Sequence, residues 1–358
     1  MTKPLSSKER VRTALARDEP DRVPINYRAN PGIDLRLKHH FGLSTTDDEG
    51  LLTALGVDFR TVAAPYVGPE LHADVPGRRV DMWGIHRRWI EHGTGGYWDY
   101  CDFPLKEATL EEVLAWPMPS PDDHDFSTIP ELCHRVRDYC VVLGHPGFGD
   151  IINSTGMIRT MEQVLIDLIN DDPACLCYID RRLNIQLEIL SRTLEAAGGA
   201  IDLLFIGEDL GTQIGPMISL DLFRKHIRPR HQKFVDLAGH YGIPVMIHSC
   251  GSSSWAFDDF IDMGISVVET LQPEAKDMAP GYLKQRFGDR LSFHGCISTA
   301  GPVAAGTVHQ TVDDVRETLG IMMPGGGYVL APTHMLQDNS PTENVVAMYQ
   351  AARDYGRY

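Results

Sequence analysis

The sequence predicts an α/β protein folded as a (β/α)8 barrel, and three observations lead there. Eight short apolar runs rich in Val and Ile recur along 358 residues, nearly all separated by helical patterns. Polar and metal-binding side chains stand just past several of those runs, where barrels carry their chemistry. No run is followed by the G-x-G-x-x-G signature of a doubly wound sheet. The one glycine triplet, Gly325-Gly-Gly327, precedes a run, where it cannot cradle a phosphate at a helix start.

In chain order the strands are expected at 22–27, 58–63, 139–144, 201–206, 243–248, 265–270, 291–294 and 327–331. Between them, 172–196 reads as one long helix opened by Asp172-Pro173, and 219–237, 254–262, 276–287, 310–322 and 341–355 as shorter ones. Ser340 is expected to cap the last, with Pro341 at its first helical position. The segment 64–138 follows neither period. Its Trp83, Trp89 and Trp98, the Gly93-Thr-Gly-Gly96 stretch and several prolines predict a hairpin and loops inserted after the second strand, serving as a lid or a homodimer surface. The whole chain, 1–358, is expected to be one elaborated barrel domain, since 43% hydrophobic residues suffice for a large core.

Composition excludes several function classes. A formal net charge of -16 with no Lys/Arg-rich block argues against a nucleic-acid backbone or an anionic membrane as partner. Met1-Thr-Lys-Pro-Leu5 opens no signal-peptide core, and no run of 18 apolar residues occurs, so a cytoplasmic protein is expected. Seven scattered cysteines, an odd number, read as reduced thiols.

The predicted strand ends carry the candidate site. Gly207-Glu-Asp-Leu-Gly-Thr-Gln213 follows the fourth strand, so Glu208 and Asp209 leave the core at the ligand-binding face with Gln213 behind them. At the fifth, His248 and Cys250 are two residues apart, which in extended chain puts imidazole and thiol on one face, where they could share a metal ion. A hydrogen-bonded core histidine beside a small buried thiol accounts for the same residues, and the spacing does not choose. Zinc takes four N, S or O donors: His334, just past the eighth strand, is the natural third, with Cys296 or Glu208 as a fourth. Gln272, His145 and His294 are candidate substrate contacts, although both histidines read better as hydrogen-bonded polar residues at strand ends.

These residues carry a family resemblance. Asp21-Arg-Val-Pro24, Gly207-Glu-Asp-Leu-Gly-Thr-Gln213, Met217-Ile-Ser219, His248-Ser-Cys-Gly251, Phe293-His-Gly-Cys-Ile-Ser-Thr299, and Gly325 through His334 followed by Pro341-Thr-Glu-Asn344 resemble the uroporphyrinogen decarboxylase superfamily from end to end. The chain is more similar to its corrinoid-linked branch, which includes methylcobamide:coenzyme M methyltransferases, than to the heme-pathway decarboxylase. The resemblance implies a barrel in which zinc, held by a His-x-Cys pair and a distant Cys, activates a thiol to accept a methyl group from a methylated corrinoid. His248 and Cys250 match the first two ligands, and His334 stands where the third Cys is expected. That exchange leaves the acceptor open between a thiol and a pterin. Glu208 and Asp209 would orient or deprotonate it, and Arg28 would hold an anionic group. The chain lacks the cobalamin-carrying Asp-x-His-x-x-Gly motif, so a separate corrinoid protein would bring the methylcobamide.

Two alternatives remain at this stage. One is a metal-independent decarboxylase of a smaller carboxylate, although Tyr27-Arg-Ala-Asn-Pro-Gly32 keeps a single arginine of that enzyme's Arg-rich segment and Asp58-Phe-Arg60 stands in place of its Phe-Ser-Asp. The other is a non-catalytic corrinoid- or metal-binding accessory protein.

Overall fold

The computed structural model describes residues 4–93 and 95–358, so Met1 to Lys3 and Thr94 of the predicted hairpin loop lie outside the described residues. Its strands, in chain order, are β1 (Phe59–Val62), β2 (Arg79–Val80), β3 (His86–His92), β4 (Gly95–Cys101), β5 (Cys140–Gly144), β6 (Leu203–Gly207), β7 (Val245–Ser249), β8 (Val267–Thr270), β9 (Ser292–Ile297) and β10 (Tyr328–Pro332). Seven of them form one parallel sheet in the order β1-β5-β6-β7-β8-β9-β10. Every residue of β6 to β10 is buried, which is why those strands appear in the sequence as unbroken apolar runs rather than alternating ones.

The predicted first strand, 22–27, makes no ladder; it forms two isolated bridges, parallel from Ile25 to Leu330 and antiparallel from Arg22 to Arg357. Pro24 has no N–H to give, so regular pairing is interrupted. The segment still bonds to both edges of the sheet and curls it round. Leu330 N–H donates to Pro24 O and Asn26 N–H to Leu330 O on one side, and Asp58 N–H donates to Ile25 O on the other, each at 2.9 Å. Asp58, fully buried, locks this closure. Its carboxylate accepts from Arg10 Nη1 (2.8 Å), Arg22 Nη1 (2.8 Å), Ser7 Oγ (2.7 Å) and Ile25 N–H (2.8 Å).

The long helix forms at Pro173–Ala197, capped by Asp172, which accepts from Cys175 N–H, and ended by left-handed Gly198. The predicted helix 219–237 is broken: a turn at Leu220–Leu222 passes into a π-helical stretch at Phe223–Ile227 before Arg228–His240 continues. Pro229 explains the break, because it cannot supply the amide that a regular i→i−4 ladder needs there. The helix expected from 276 begins only at Pro280. The last helix is Thr342–Tyr355 with Pro341, not Ser340, at its N-cap; the Ser340 hydroxyl is buried without a hydrogen-bond partner. Gly325, Gly326 and Gly327 all have φ near +70°, and a Cβ on Gly326 would lie 2.3 Å from Asp18 O, so the triplet is a tight turn beneath the sheet.

Within 64–138, β2, β3 and β4 form a three-stranded antiparallel sheet in which Trp89 pairs with Trp98. Two helices that sequence periodicity did not predict, Leu110–Ala115 and Ile129–Arg135, are too short for a 3.6-residue period to show. One end of this sheet leads from Trp83, packed in a small satellite core with Leu105, Ile158 and Tyr178. Its far turn reaches the loop after β10, where a Cβ on Gly95 would lie 2.8 Å from Asp338 Oδ2. Among the described residues no helix is long and apolar enough to cross a membrane.

Candidate functional site

Parallel register builds the site. His248 of β7 lies beside Glu269 of β8, and Glu269 beside His294 of β9, so three neighbouring strands present polar residues in one register layer of a sheet whose buried residues are mostly apolar. The His248 ring is oriented from behind. Its Nδ1 hydrogen-bonds Glu269 Oε2, while Thr270 Oγ1 sits 2.8 Å from Nδ1 and donates to the same carboxylate at 3.0 Å. Glu269 is fully buried and its other oxygen accepts from Arg28 Nη1 at 2.9 Å. Burial works against its charge, but His248 and then Arg28 outweigh burial and hold the carboxyl down at about 2.

With Nδ1 committed to Glu269, His248 Nε2 faces outward. It lies 3.4 Å from Cys250 Sγ and 3.3 Å from Asp209 Oδ1. Asp209 is fixed in turn: Cys250 N–H donates to Oδ1 at 2.8 Å and Asn153 Nδ2 to Oδ2 at 2.7 Å. Burial opposes its charge too, yet the His248 hydrogen bond and charge keep the carboxyl well below the usual range. One nitrogen, one sulfur and one oxygen donor thus lie within 4.8 Å of one another. The set fits a zinc-type ion, since N, S and O are its donors and the three atoms converge on one point. The carboxylate behind His248 is the partner that metal-bound imidazoles commonly have. Strain collects at the same spot: Thr270, a β-branched residue, has φ 94° and Leu271 φ 55°.

The other predicted residues are distributed unequally. His334 is exposed across the mouth, its ring centroid 6.4 Å from that of His248. Two imidazoles on one tetrahedral ion stand roughly 5 Å apart, so His334 is near the cluster but not part of it. Glu208 turns away from it. Fully buried, its carboxylate accepts from Ile151 N–H (2.9 Å) and Ile152 N–H (3.0 Å) at the start of the helix Ile152–Arg159, and burial pushes its pKa up to about 8. It anchors a loop, and the acid that faces Cys250 is its neighbour Asp209. Cys296 is buried and stands apart from the cluster, its thiol pushed up by burial alone.

His294 lies inside the barrel at 1% exposure, with Asn26 Nδ2 2.9 Å from its Nε2 and Phe59 edge-on. Burial lowers its pKa to about 4, so it is neutral and its Nε2 lone pair is taken. Gln213 and Gln272 meet each other at the rim, Nε2 to Oε1 at 3.2 Å. Arg28 comes to the site with one nitrogen spent on Glu269. His145 follows β5, two strands from β7 in the sheet, its Nδ1 accepting from Gly147 N–H at 3.1 Å.

Sequence reasoning missed Glu269, Thr270 and Asn153. A signal for Glu269 existed: a carboxylate inside the run Ile265-Ser-Val-Val-Glu-Thr270 is rare in a buried strand unless it is paired.

The uroporphyrinogen decarboxylase (URO-D) family profile matches residues 122–355, a span that contains β5 to β10 and the whole His248, Cys250, Asp209 and Glu269 cluster. The chain belongs to the uroporphyrinogen decarboxylase family. A methylcobamide:CoM methyltransferase of Methanosarcina barkeri is 30% identical over 141 residues, 39% of this chain and 38% of that protein. Another from M. barkeri strain Fusaro (DSM 804) is 30% identical over 154 residues, 42% of each. The match therefore spans about two fifths of the length of these curated relatives. In three dimensions the chain resembles a methyltransferase from Methanosarcina mazei, with a TM-score of 0.65 at 18% identity over 98% of this chain and 99% of the other. That likeness shows that nearly the whole chain, including the segments outside the matched span, shares the fold of that structure.

Proposed function

We propose that this URO-D family chain is a zinc-dependent methyltransferase that moves a methyl group between a methylcobamide, carried by a separate corrinoid protein, and a small thiol or pterin acceptor. The observation that carries the reading is the His248 ring, locked by Glu269 so that Nε2 converges with Cys250 Sγ and Asp209 Oδ1. The two relatives named methylcobamide:CoM methyltransferases support the reaction class. His248, Cys250 and Asp209 would hold the ion, and His334 stands beside them on the open side as a further imidazole. When bound, the ion supplies Lewis acidity that makes an acceptor thiolate available near neutral pH.

The protein's own groups do the rest. Glu269 fixes the His248 tautomer and, through Arg28, ties the barrel closure segment to the site. Arg28 keeps Nη2 and Nε for an anionic substituent of the acceptor, and Gln213 with Gln272 borders the entrance. The whole chain acts as one barrel domain, with 64–138 as a lid whose far turn rests by Asp338.

The test uses free methylcobalamin and a panel of small thiols and reduced pterins. Demethylation, seen as the cobalamin colour change, should stop with chelator and return on adding zinc. Chelator-indifferent carbon dioxide release from a carboxylate would mean a decarboxylase instead. Stoichiometric zinc with no turnover on any acceptor would mean an accessory protein.

A further inference from the structure

A second cavity, of about 230 Å³, opens between the ends of β1 and β5, the Met82–Trp83 corner and the helix Pro173–Ala197. None of its lining residues belongs to the His248, Cys250 and Asp209 cluster. Its walls are mainly apolar, with Val62, Leu143, Phe148, Ile189 and Leu190 prominent, and one formally charged residue lines it, Arg182.

The state of that arginine is unusual. Arg182 is only 7% exposed and its guanidinium lies over the Trp83 ring, 4.7 Å from the centroid. Nε and Nη1 are buried and have no hydrogen-bond partner. One helical turn earlier the buried Tyr178 hydroxyl lies beside the same guanidinium, a neutral neighbour that supplies no counter-charge. Asp81, the acid nearby, is already engaged: Oδ2 takes Arg87 Nη1 at 2.8 Å, and Oδ1 takes the Trp83 and Ile85 amides at 2.9 and 3.0 Å. A permanently charged group stripped of water without an anion is costly, and stacking on an aromatic face recovers only part of that cost.

His145 completes the arrangement from the barrel side. Its Nδ1 accepts from Gly147 N–H, which leaves Nε2–H as a donor at the cavity wall, and burial followed by the charges of Arg182 and Arg28 lowers its pKa and keeps it neutral. A buried guanidinium without an anion, in a small and mainly apolar chamber with no carboxylate, describes half of an ion pair.

We propose that this cavity binds the oxyanion head of a small organic acid, a carboxylate or a sulfonate, on Arg182 and His145, with a short apolar body against Val62, Leu143 and Phe148. A volume below the drug-sized range of about 300–1,000 Å³ restricts the ligand to roughly ten heavy atoms. The site stands apart from the zinc reading, and it holds or fails with metal absent.

The experiment is a titration of the full chain, in chelator, with benzoate and benzenesulfonate, following tryptophan fluorescence and thermal midpoint; Trp83, stacked on Arg182, is the reporter. At least one acid should bind saturably and raise the midpoint, and which one does separates a carboxylate ligand from a sulfonate. Inorganic phosphate, lacking the apolar body, and benzamide, lacking the charge, should bind at least tenfold more weakly. Arg182→Gln should lose at least tenfold. Ala63→Phe, at an exposed wall position, should block the chamber without touching the guanidinium, and carries the same test should the arginine variant not fold. No saturable binding of either acid, equal binding of benzamide, or undiminished binding in the folded variants would overturn the proposal.

Discussion

Replacing Glu269 by Gln isolates what the buried carboxylate contributes to the metal centre. The change keeps side-chain volume at a fully buried position and removes one negative charge between His248 and Arg28. The amide can be placed in two ways, and both cost. With its oxygen toward His248 Nδ1, the tautomer survives, but the NH2 group faces Arg28 Nη1, donor against donor, and the imidazole loses the charge that raises its basicity. Flipped, it satisfies Arg28 but presents N–H to Nδ1, so the ring must protonate at Nε2, the nitrogen the metal needs. Loss of such a partner typically costs 10–100-fold in metal affinity, or about 1.4–2.7 kcal/mol. The assay is a competition titration against a chromophoric zinc chelator, with circular dichroism to confirm the fold. Zinc affinity in Glu269→Gln within twofold of the parent, alongside a clear loss in Cys250→Ser, would refute the idea that Glu269 sets the ligand geometry.

Other outcomes follow from the same contacts. Cys250→Ser should abolish stoichiometric zinc, because a protonated hydroxyl replaces a thiolate, whereas His334→Cys should retain it, and atomic absorption of the two purified variants checks both. Glu208→Gln should leave zinc content unchanged while weakening the loop it anchors at Ile151–Ile152, read as a lower urea midpoint without metal loss. Asp58→Ala strips a fully buried acid from Arg10 and Arg22 and should cost about 3–5 kcal/mol in urea unfolding; a loss under 1 kcal/mol would mean the barrel closure does not depend on it. His231 and His294 are buried and their pKa values drop from 6.5 to about 4 through burial, so each binds fewer protons folded than unfolded. That stability is complete above pH 6.5 and lost as pH falls toward 4, about 3 kcal/mol per residue, and His231→Gln should remove its share of the acid slope in equilibrium unfolding.

Much of the scaffold was legible in the sequence for one physical reason. A parallel strand covered by helices on one side and barrel core on the other must be apolar throughout, so Leu203–Gly207 or Tyr328–Pro332 declares itself as a continuous run. The pair His248 and Cys250 was legible for an equally local reason, the two-residue repeat of an extended chain. Where a signal depended on a turn, it failed. Adjacent acids at 208 and 209 read alike, and only the path of the chain after β6 sends Glu208 back under Ile151 and Ile152 while bringing Asp209 to Cys250.

Relations between distant segments belonged wholly to the tertiary structure. Glu269 meets His248 across 21 positions and Arg28 across 241, a contact set by strand register and barrel closure that no local window contains. The same holds for the unpaired Arg182, which in sequence is one more polar position on a long helix. It becomes a buried charge only because Trp83, from a segment a hundred residues earlier, covers its face while no acid follows. The sequence alone could establish periodicity and local spacing, since these depend on backbone geometry; partnership and desolvation depend on which surfaces the fold brings together.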